Sequence, residues 1–348
     1  MAEQKGTSTY IAASYMVAND FAAINNFTGD WSGTYAPRNG TDLAVGVARM
    51  EGGVTYDTWR VAAFYRAEAV LQSNRDTADI YYYSQQNLAV PSGRTFNLNL
   101  SIEGFSANGI RLDKGFNFPL TDEIGLSIGA GVSLLRGIQV RMGSVKGTAA
   151  TSSSGYVFNA SMEDSYSNGT YPFISAATPY GDGYAFDIGA KIKLTNGAHL
   201  DFAANDIVGQ MTWQYMPHTV ETANSQNMSH DANGYIIYIP TFSGKNDINR
   251  SILVQTLAPK MHTQLNYPVS EFNVFAGTDW MMSYWFPEIG TEYSIESNWK
   301  TSLSYDIRFN SVAMGMQYKW VDLTLRSSSL TPGTSRINGF NAGLQIPF

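Results

Sequence analysis

The 348-residue chain has no cysteine, four histidines, and charged side chains at only 15% of positions. Without cysteine there can be no disulfide framework, thiolate metal site or cysteine nucleophile. The chain also lacks any apolar run of the roughly 18 residues a membrane-spanning helix needs, so it contains no such helix. Its net charge is −7 and no basic stripe is present, which argues against a nucleic-acid partner. The first residues, MAEQKGTSTY, have no apolar core of a signal segment. The expectation is that a signal segment has been removed.

Aromatic residues and glycine are plentiful: Tyr 21, Phe 18, Trp 7 and Gly 32. Aromatic side chains suit pleated surfaces, and glycine scattered through such segments marks bends and close approaches. The mean hydropathy is −0.18 despite the scarcity of charge, so Ser, Thr, Asn, Gln and Gly carry the polarity. This composition fits a wet interior with polar loops better than an ordinary charged surface. A chain of this length would normally form two domains unless one closed sheet used all of it.

Alternating segments recur, many near the 10 or so residues that a tilted bilayer-crossing strand needs. Trp59, Val61, Ala63 and Tyr65 oppose Arg60, Ala62, Phe64 and Arg66. Tyr184, Phe186, Ile188, Ala190 and Ile192 oppose Ala185, Asp187, Gly189, Lys191 and Lys193. Similar alternation runs through 96–103, 124–133 and 303–310, and through 312–325 with a one-residue slip. One face is nearly free of charge and the other is small, polar or charged, as in a sheet between lipid and water. In Ile110–Leu120, Lys114 falls on the apolar face, which calls for a bulge or a position at the membrane rim.

Connections are of two kinds. Those at 120–123, 195–198 and 267–270 are tight, whereas those near 148–181 and 217–250 are long and polar. Short turns on one rim and long loops on the other describe an antiparallel up-and-down transmembrane β-barrel, with short periplasmic turns and long extracellular loops. The count comes to about 12 to 14 strands. Beyond Tyr267 the rims keep their alternation only if 289–309 form one bent strand. Residues 1–40 are expected to be a plug or the first strands, with 41–348 as the barrel. The stretch Asp76–Tyr83 does not alternate, and reads as an inward constriction or a rim loop.

The chain stops on INGFNAGLQIPF, where Phe340, Ala342, Leu344, Ile346 and Phe348 share one face and Asn341, Gly343, Gln345 and Pro347 the other. Asn341, Gly343, Ile346 and Phe348 resemble the C-terminal assembly signal of Gram-negative outer-membrane β-barrels. Pro347 departs from that pattern, because it removes a ladder donor. The resemblance implies a bacterial outer-membrane location, recognition of the last strand by the barrel-assembly machinery, and contact with outer-membrane lipids and lipopolysaccharide. A weaker likeness covers Gly183–Trp213, which resembles a hairpin of fatty-acid-transporter-like barrels and implies an occupied lumen with a route for hydrophobic molecules.

Charges expected on the lumen face are Arg60, Arg66, Glu103, Arg111, Asp113, Asp187, Lys191, Lys193, Asp306, Arg308 and Lys319. Their mixed signs suit bracing networks or a weakly selective pore. His199 with Asp201 reads as a solvated lumen pair, and His218, His230, Glu221 and Asp231 share a long loop without metalloprotease spacing. Trp280, Tyr284, Trp285, Phe286, Trp299 and Trp320 are expected in interface girdles. No metal, cofactor or enzymatic activity is expected. The expected function is a porin-like channel for small solutes, hydrophobic ones among them; the alternative is an anchor, export conduit or scaffold for a periplasmic or extracellular protein partner.

Overall fold

The computed structural model describes the chain apart from residues 1–5, 28, 30, 39–42, 122, 153–154, 169–177, 226–227, 231–235, 239–240, 297 and 332. Strand β1 (Thr7–Asn19) leads through a short helix α1 (Ile24–Phe27) to the hairpin β2 (Leu43–Tyr56) and β3 (Trp59–Ser73). Helix α2 (Arg75–Gln85) precedes the long strands β4 (Thr95–Pro119) and β5 (Ile124–Ser152). Then follow β6 (Gly155–Tyr166), β7 (Tyr180–Leu194), β8 (His199–Asn224), the short pair β9 (Met228–His230) and β10 (Ile236–Tyr238), and β11 (Thr241–Thr256). The chain finishes with β12 (Lys260–Val269), β13 (Phe272–Met281), β14 (Tyr284–Glu296), β15 (Trp299–Asp306), β16 (Ser311–Tyr318), β17 (Val321–Ser327) and β18 (Ile337–Pro347).

Fourteen of these strands form a closed antiparallel barrel. The ring closes between β1 and β18, with Ser8 opposite Pro347 and Ala18 opposite Ile337. Closure removes the unpaired edges that could not survive in hydrocarbon. Strand β6 continues the ring position of β7, pairing with the upper parts of β5 and β8, and β11 continues that of β12, pairing with β8 from Gln210 to Asn224.

Alternation along each strand divides lipid from lumen. On the last strand Phe340, Leu344, Ile346 and Phe348 are exposed outward, while Asn341, Gly343 and Gln345 share the inward face of their partners Ser14, Ala12 and Tyr10. The start of β1 and the C-terminal Phe348 lie together at the periplasmic rim, with the Phe348 N–H donating to the Thr7 carbonyl at 2.9 Å. Lys114 needs no bulge: it pairs with Trp59 beside the β2–β3 turn, and its Nζ donates to Thr58 Oγ1 at 2.7 Å. The side chain snorkels to the rim with its ammonium 4.5 Å from the Trp59 ring centre.

Two expectations about the C-terminal third are corrected. Residues 289–309 do not form one strand, because β14 ends at Glu296 and β15 begins at Trp299. Nor does the run 312–325 continue through a slip. It turns at Lys319 and Trp320, with Lys319 at φ +50°. The two extra turns cancel, so the C-terminus returns to the periplasmic rim. Another turn hides at Met282 and Ser283, whose φ angles of +52° and +70° suit a two-residue hairpin without the glycine that usually announces it.

Candidate functional site

Polar, charged and large apolar side chains converge in the lumen. Its lower part is a belt of ion pairs. Arg60 Nε lies 2.7 Å from Asp113 Oδ2, and Arg111 joins Asp113 Oδ1 at 2.7 Å to Asp187 Oδ2 at 3.1 Å. The other oxygen of Asp187 accepts the backbone N–H of Asp206 at 2.8 Å. Arg66 Nη1 stands 2.8 Å from Asp206 Oδ1, and Lys260 Nζ lies 2.6 Å from Asp206 Oδ2 and 2.8 Å from Glu68 Oε2. Glu51 accepts hydrogen bonds from the Tyr10 hydroxyl and from Arg49 Nε. The carboxylates of Glu51, Glu68, Asp113, Asp187 and Asp206 thus face the cations of Arg49, Arg60, Arg66, Arg111 and Lys260, and no sign dominates.

Asp206 owes its place to the backbone. It has φ +56°, and the β7–β8 register shifts there between Phe186 and Ile188. Such a bulge re-aims the side chain, and Asp206 ends almost wholly buried in the lumen. Across the barrel, Arg326 bridges Glu288 and Asp306, whose Oδ1 also accepts the Phe309 N–H at 2.7 Å.

Most of the apolar lining lies further toward the extracellular end of the same strands, with Phe64 between Arg60 and Arg66 on β3. Phe64, Phe105, Leu135, Val140, Met211, Trp213, Met216, Leu253 and Leu257 form one buried cluster. Glycines make room for the indole: a Cβ on Gly137 would come within 2.3 Å of Trp213, and one on Gly181 within 2.5 Å. Trp213 Nε1 donates to Gln255 Oε1 at 3.2 Å, so its polar edge is satisfied. A second cluster, including Leu43, Val45, Val70, Phe286, Phe309 and Ile337, lines the opposite wall.

The extracellular mouth is covered by the segment after β1 together with helix α2. Phe21, Ala22, Trp31 and Ala78 are buried together, flanked by Phe27, Tyr35 and Tyr82. Trp31 stacks on Tyr35 at 5.4 Å and Tyr35 on Tyr82 at 4.3 Å. Tyr35 donates its hydroxyl to Asp79, and burial followed by this carboxylate pushes the phenol well above its ordinary pKa. The far side is pinned to two other turns, by Arg308 on Asp20 at 2.7 Å and by Arg336 on the Asp20 carbonyl at 2.6 Å. Asn74 caps α2 by accepting the Thr77 N–H at 3.0 Å. Burial disfavours the Asp76 carboxylate, but the Asn97 N–H and Arg94 outweigh it and hold its pKa below the usual range.

Of the residues expected in the lumen, Arg60, Arg66, Arg111, Asp113 and Asp187 meet in the belt, and Asp306 joins Arg326. Lys191 faces Asp201 at 3.4 Å lower on the wall, with Lys193 below it on the same face of β7. Glu103 sits exposed on the upper part of β4. Arg308 is in the extracellular β15–β16 turn and Lys319 in the periplasmic β16–β17 turn, since the strands end before them. Lys319 rests its ammonium over Tyr318 instead. Phe286, expected in a girdle, is buried in the lumen, whereas Trp285 is 59% exposed outward.

Glu51, Glu68, Asp206, Lys260, Glu288 and Arg326 were missed. The alternation of β2, β3 and β17 would have placed Glu51, Glu68 and Arg326, but the bulge at Asp206 breaks the parity that would align Asp206 with Lys260 and Arg66. His199 Nε2 lies 3.3 Å from Asp201, and His262 Nδ1 lies 2.7 Å from Asp279. His218 contacts Ser165 Oγ at 3.0 Å, and Asp231 lies outside the described residues. Among the described residues no group of three or more His, Asp or Glu could hold a metal.

No protein-family model matches the chain, and no curated protein matches it. Among solved structures, the P. putida toluene transporter TodX is similar at 12% identity over 99% of this chain and 91% of that one, with a TM-score of 0.42. The Ralstonia pickettii toluene transporter TbuX follows at 8% identity, 99% and 90% coverage, and a TM-score of 0.25. The Escherichia coli outer-membrane protease OmpT has 8% identity, 100% and 98% coverage, and a TM-score of 0.23. Likenesses of this degree concern the barrel form and say nothing of what passes through it.

Proposed function

We propose that this protein resides in the bacterial outer membrane and is a channel through which small hydrophobic solutes pass. The observation that carries the reading is the apolar cluster inside the barrel. Inward positions of an outer-membrane barrel normally face water, where Phe64, Phe105, Met211, Trp213 and Met216 would be costly to expose. In the present conformation these side chains pack against one another, so passage requires them to give way to a solute of similar polarity. Met211 and Met216 are flexible enough to do so.

The belt beside the cluster serves this reading in two ways. Its paired charges brace the wall, and they leave no ring of one sign to select ions. Steady ion flow is therefore not expected.

The test measures uptake of a small hydrocarbon and of a hydrophilic sugar of similar size into proteoliposomes containing the purified barrel. Faster hydrocarbon uptake than in protein-free vesicles, with no gain for the sugar and little conductance in planar bilayers, supports the proposal. Sugar passage with large steady conductance overturns it in favour of an ordinary water-filled pore.

A further inference from the structure

Beside the apolar cluster on the β1–β18 wall is a cavity of about 200 Å³ that the ion-pair belt does not fill. For scale, an apolar cavity of about 150 Å³ is enough to hold benzene. Its apolar side is built by Met16, Val47, Met281 and Phe286. Its polar side carries Asp279, Asp306 and Arg326. Between the two lie Ser14, Thr324 and Asn341, whose side chains make no hydrogen bond among the described residues.

The charges on the polar side do not balance as those of the belt do. Arg326 is already shared between Glu288 and Asp306. Asp279 has His262 on its Oδ1 alone. A bound group that donates hydrogen bonds would find acceptors in Asp279, Asn341 and the two hydroxyls, whereas a carboxylate would meet Asp279 and Asp306 and would have to compete with Glu288 and Asp306 for Arg326. The two methionines opposite adapt readily to the shape of an apolar body.

We propose that this cavity is a binding site for small amphipathic molecules with an apolar body and one hydrogen-bond-donating end, an ammonium or a hydroxyl. The assignment rests on the hydrophobic-passage reading, since it makes the cavity a station on that path. It narrows the solutes from hydrophobic molecules in general to those with a donor end.

The test is titration of the detergent-solubilised barrel, labelled with ¹³C at the methionine methyls, with hexylamine, 1-hexanol and hexanoate. Met16 and Met281 report the cavity. Met50 and Met314, 60% and 64% exposed on the outer face, report partition into the detergent. Saturable shifts of Met16 and Met281 with hexylamine and hexanol, at least about tenfold weaker with hexanoate, support the site. Equal shifts with hexanoate, or shifts confined to Met50 and Met314, overturn it.

In Asp279→Asn the preference for hexylamine over hexanoate should shrink; an unchanged preference in a folded variant overturns the role of that carboxylate. Should the variant fail to fold, the comparison of ligands on the unaltered protein still decides. Because binding is read without any gradient, a barrel that binds hexylamine yet passes no hydrocarbon would leave the site standing and overturn the passage reading.

Discussion

Arg66 on β3 and Asp206 on β8 meet at 2.8 Å although β4, β5 and β7 separate their strands around the ring. Their contact crosses the lumen. Lys260 on β12 extends the strut by reaching both Asp206 and Glu68. A sheet closed on itself is held by its ladders along the wall, but nothing in the ladders resists flattening of its cross-section. Paired charges across the interior supply that resistance.

Replacing Asp206 with Asn should therefore be costly out of proportion to the few atoms changed. Arg66 and Lys260 would keep their charges with one carboxylate fewer, and breaking such a buried pair typically costs about 3–5 kcal/mol. Urea unfolding in detergent, followed by heat-modifiable gel mobility, should show the loss. A variant as stable as the parent would mean that the strut is not a brace.

Trp213 fills the lumen by lying across Gly137 and Gly181. Trp213→Ala should cost about 3–5 kcal/mol through lost burial and the cavity left behind. Gly137→Val should displace the ring without removing it, since the new side chain would overlap the indole. Both variants are expected to speed hydrocarbon uptake into proteoliposomes. Unchanged uptake in both would place the route away from this wall.

The extracellular cover should respond to acid through Asp76. Its carboxyl pKa is depressed in the folded protein, with burial opposing the shift and the Asn97 N–H and Arg94 prevailing. A depressed carboxyl contributes stability that is present above its unfolded pKa of about 3.9 and is lost as pH falls through the folded value. The protection of α2 amides against hydrogen exchange, taken relative to the intrinsic rate at each pH, should stay high at neutral pH and fall below about pH 4, with Asp76→Asn less protected already at pH 7. Exchange in that variant identical to the parent at every pH would remove Asp76 from the latch.

Depth in the membrane should separate two neighbouring positions on β4. Ile110 is 60% exposed on the outer face, four residues above Lys114. Ile110→Lys should cost about 2–4 kcal/mol if the position lies near the bilayer midplane. Lys114→Met should change stability by less than about 1 kcal/mol, because the parent ammonium already reaches the rim. Equal costs measured by refolding into lipid vesicles would contradict the placement of the rim at Trp59 and Thr58.

The sequence alone determined the two-faced strands, the direction of each face, and the closing strand, because side chains alternate strictly along an extended backbone and lipid tolerates only one kind of face. Hence Phe340, Leu344 and Ile346 could be turned outward, and Arg60, Arg66 and Arg111 inward, without coordinates. The strand count was less legible. Turns at Met282–Ser283 and Lys319–Trp320 carry left-handed residues but no glycine, so apolar runs continue through them unbroken. Only the tertiary structure decided which inward charges pair, because Asp206, Lys260 and Glu68 lie far apart in the chain and the bulge at Asp206 breaks the parity that would align them. It also decided which inward apolar residues gather into one cluster beside the charges: alternation tells a residue which side it faces, while height in the barrel depends on the register and tilt of every strand before it.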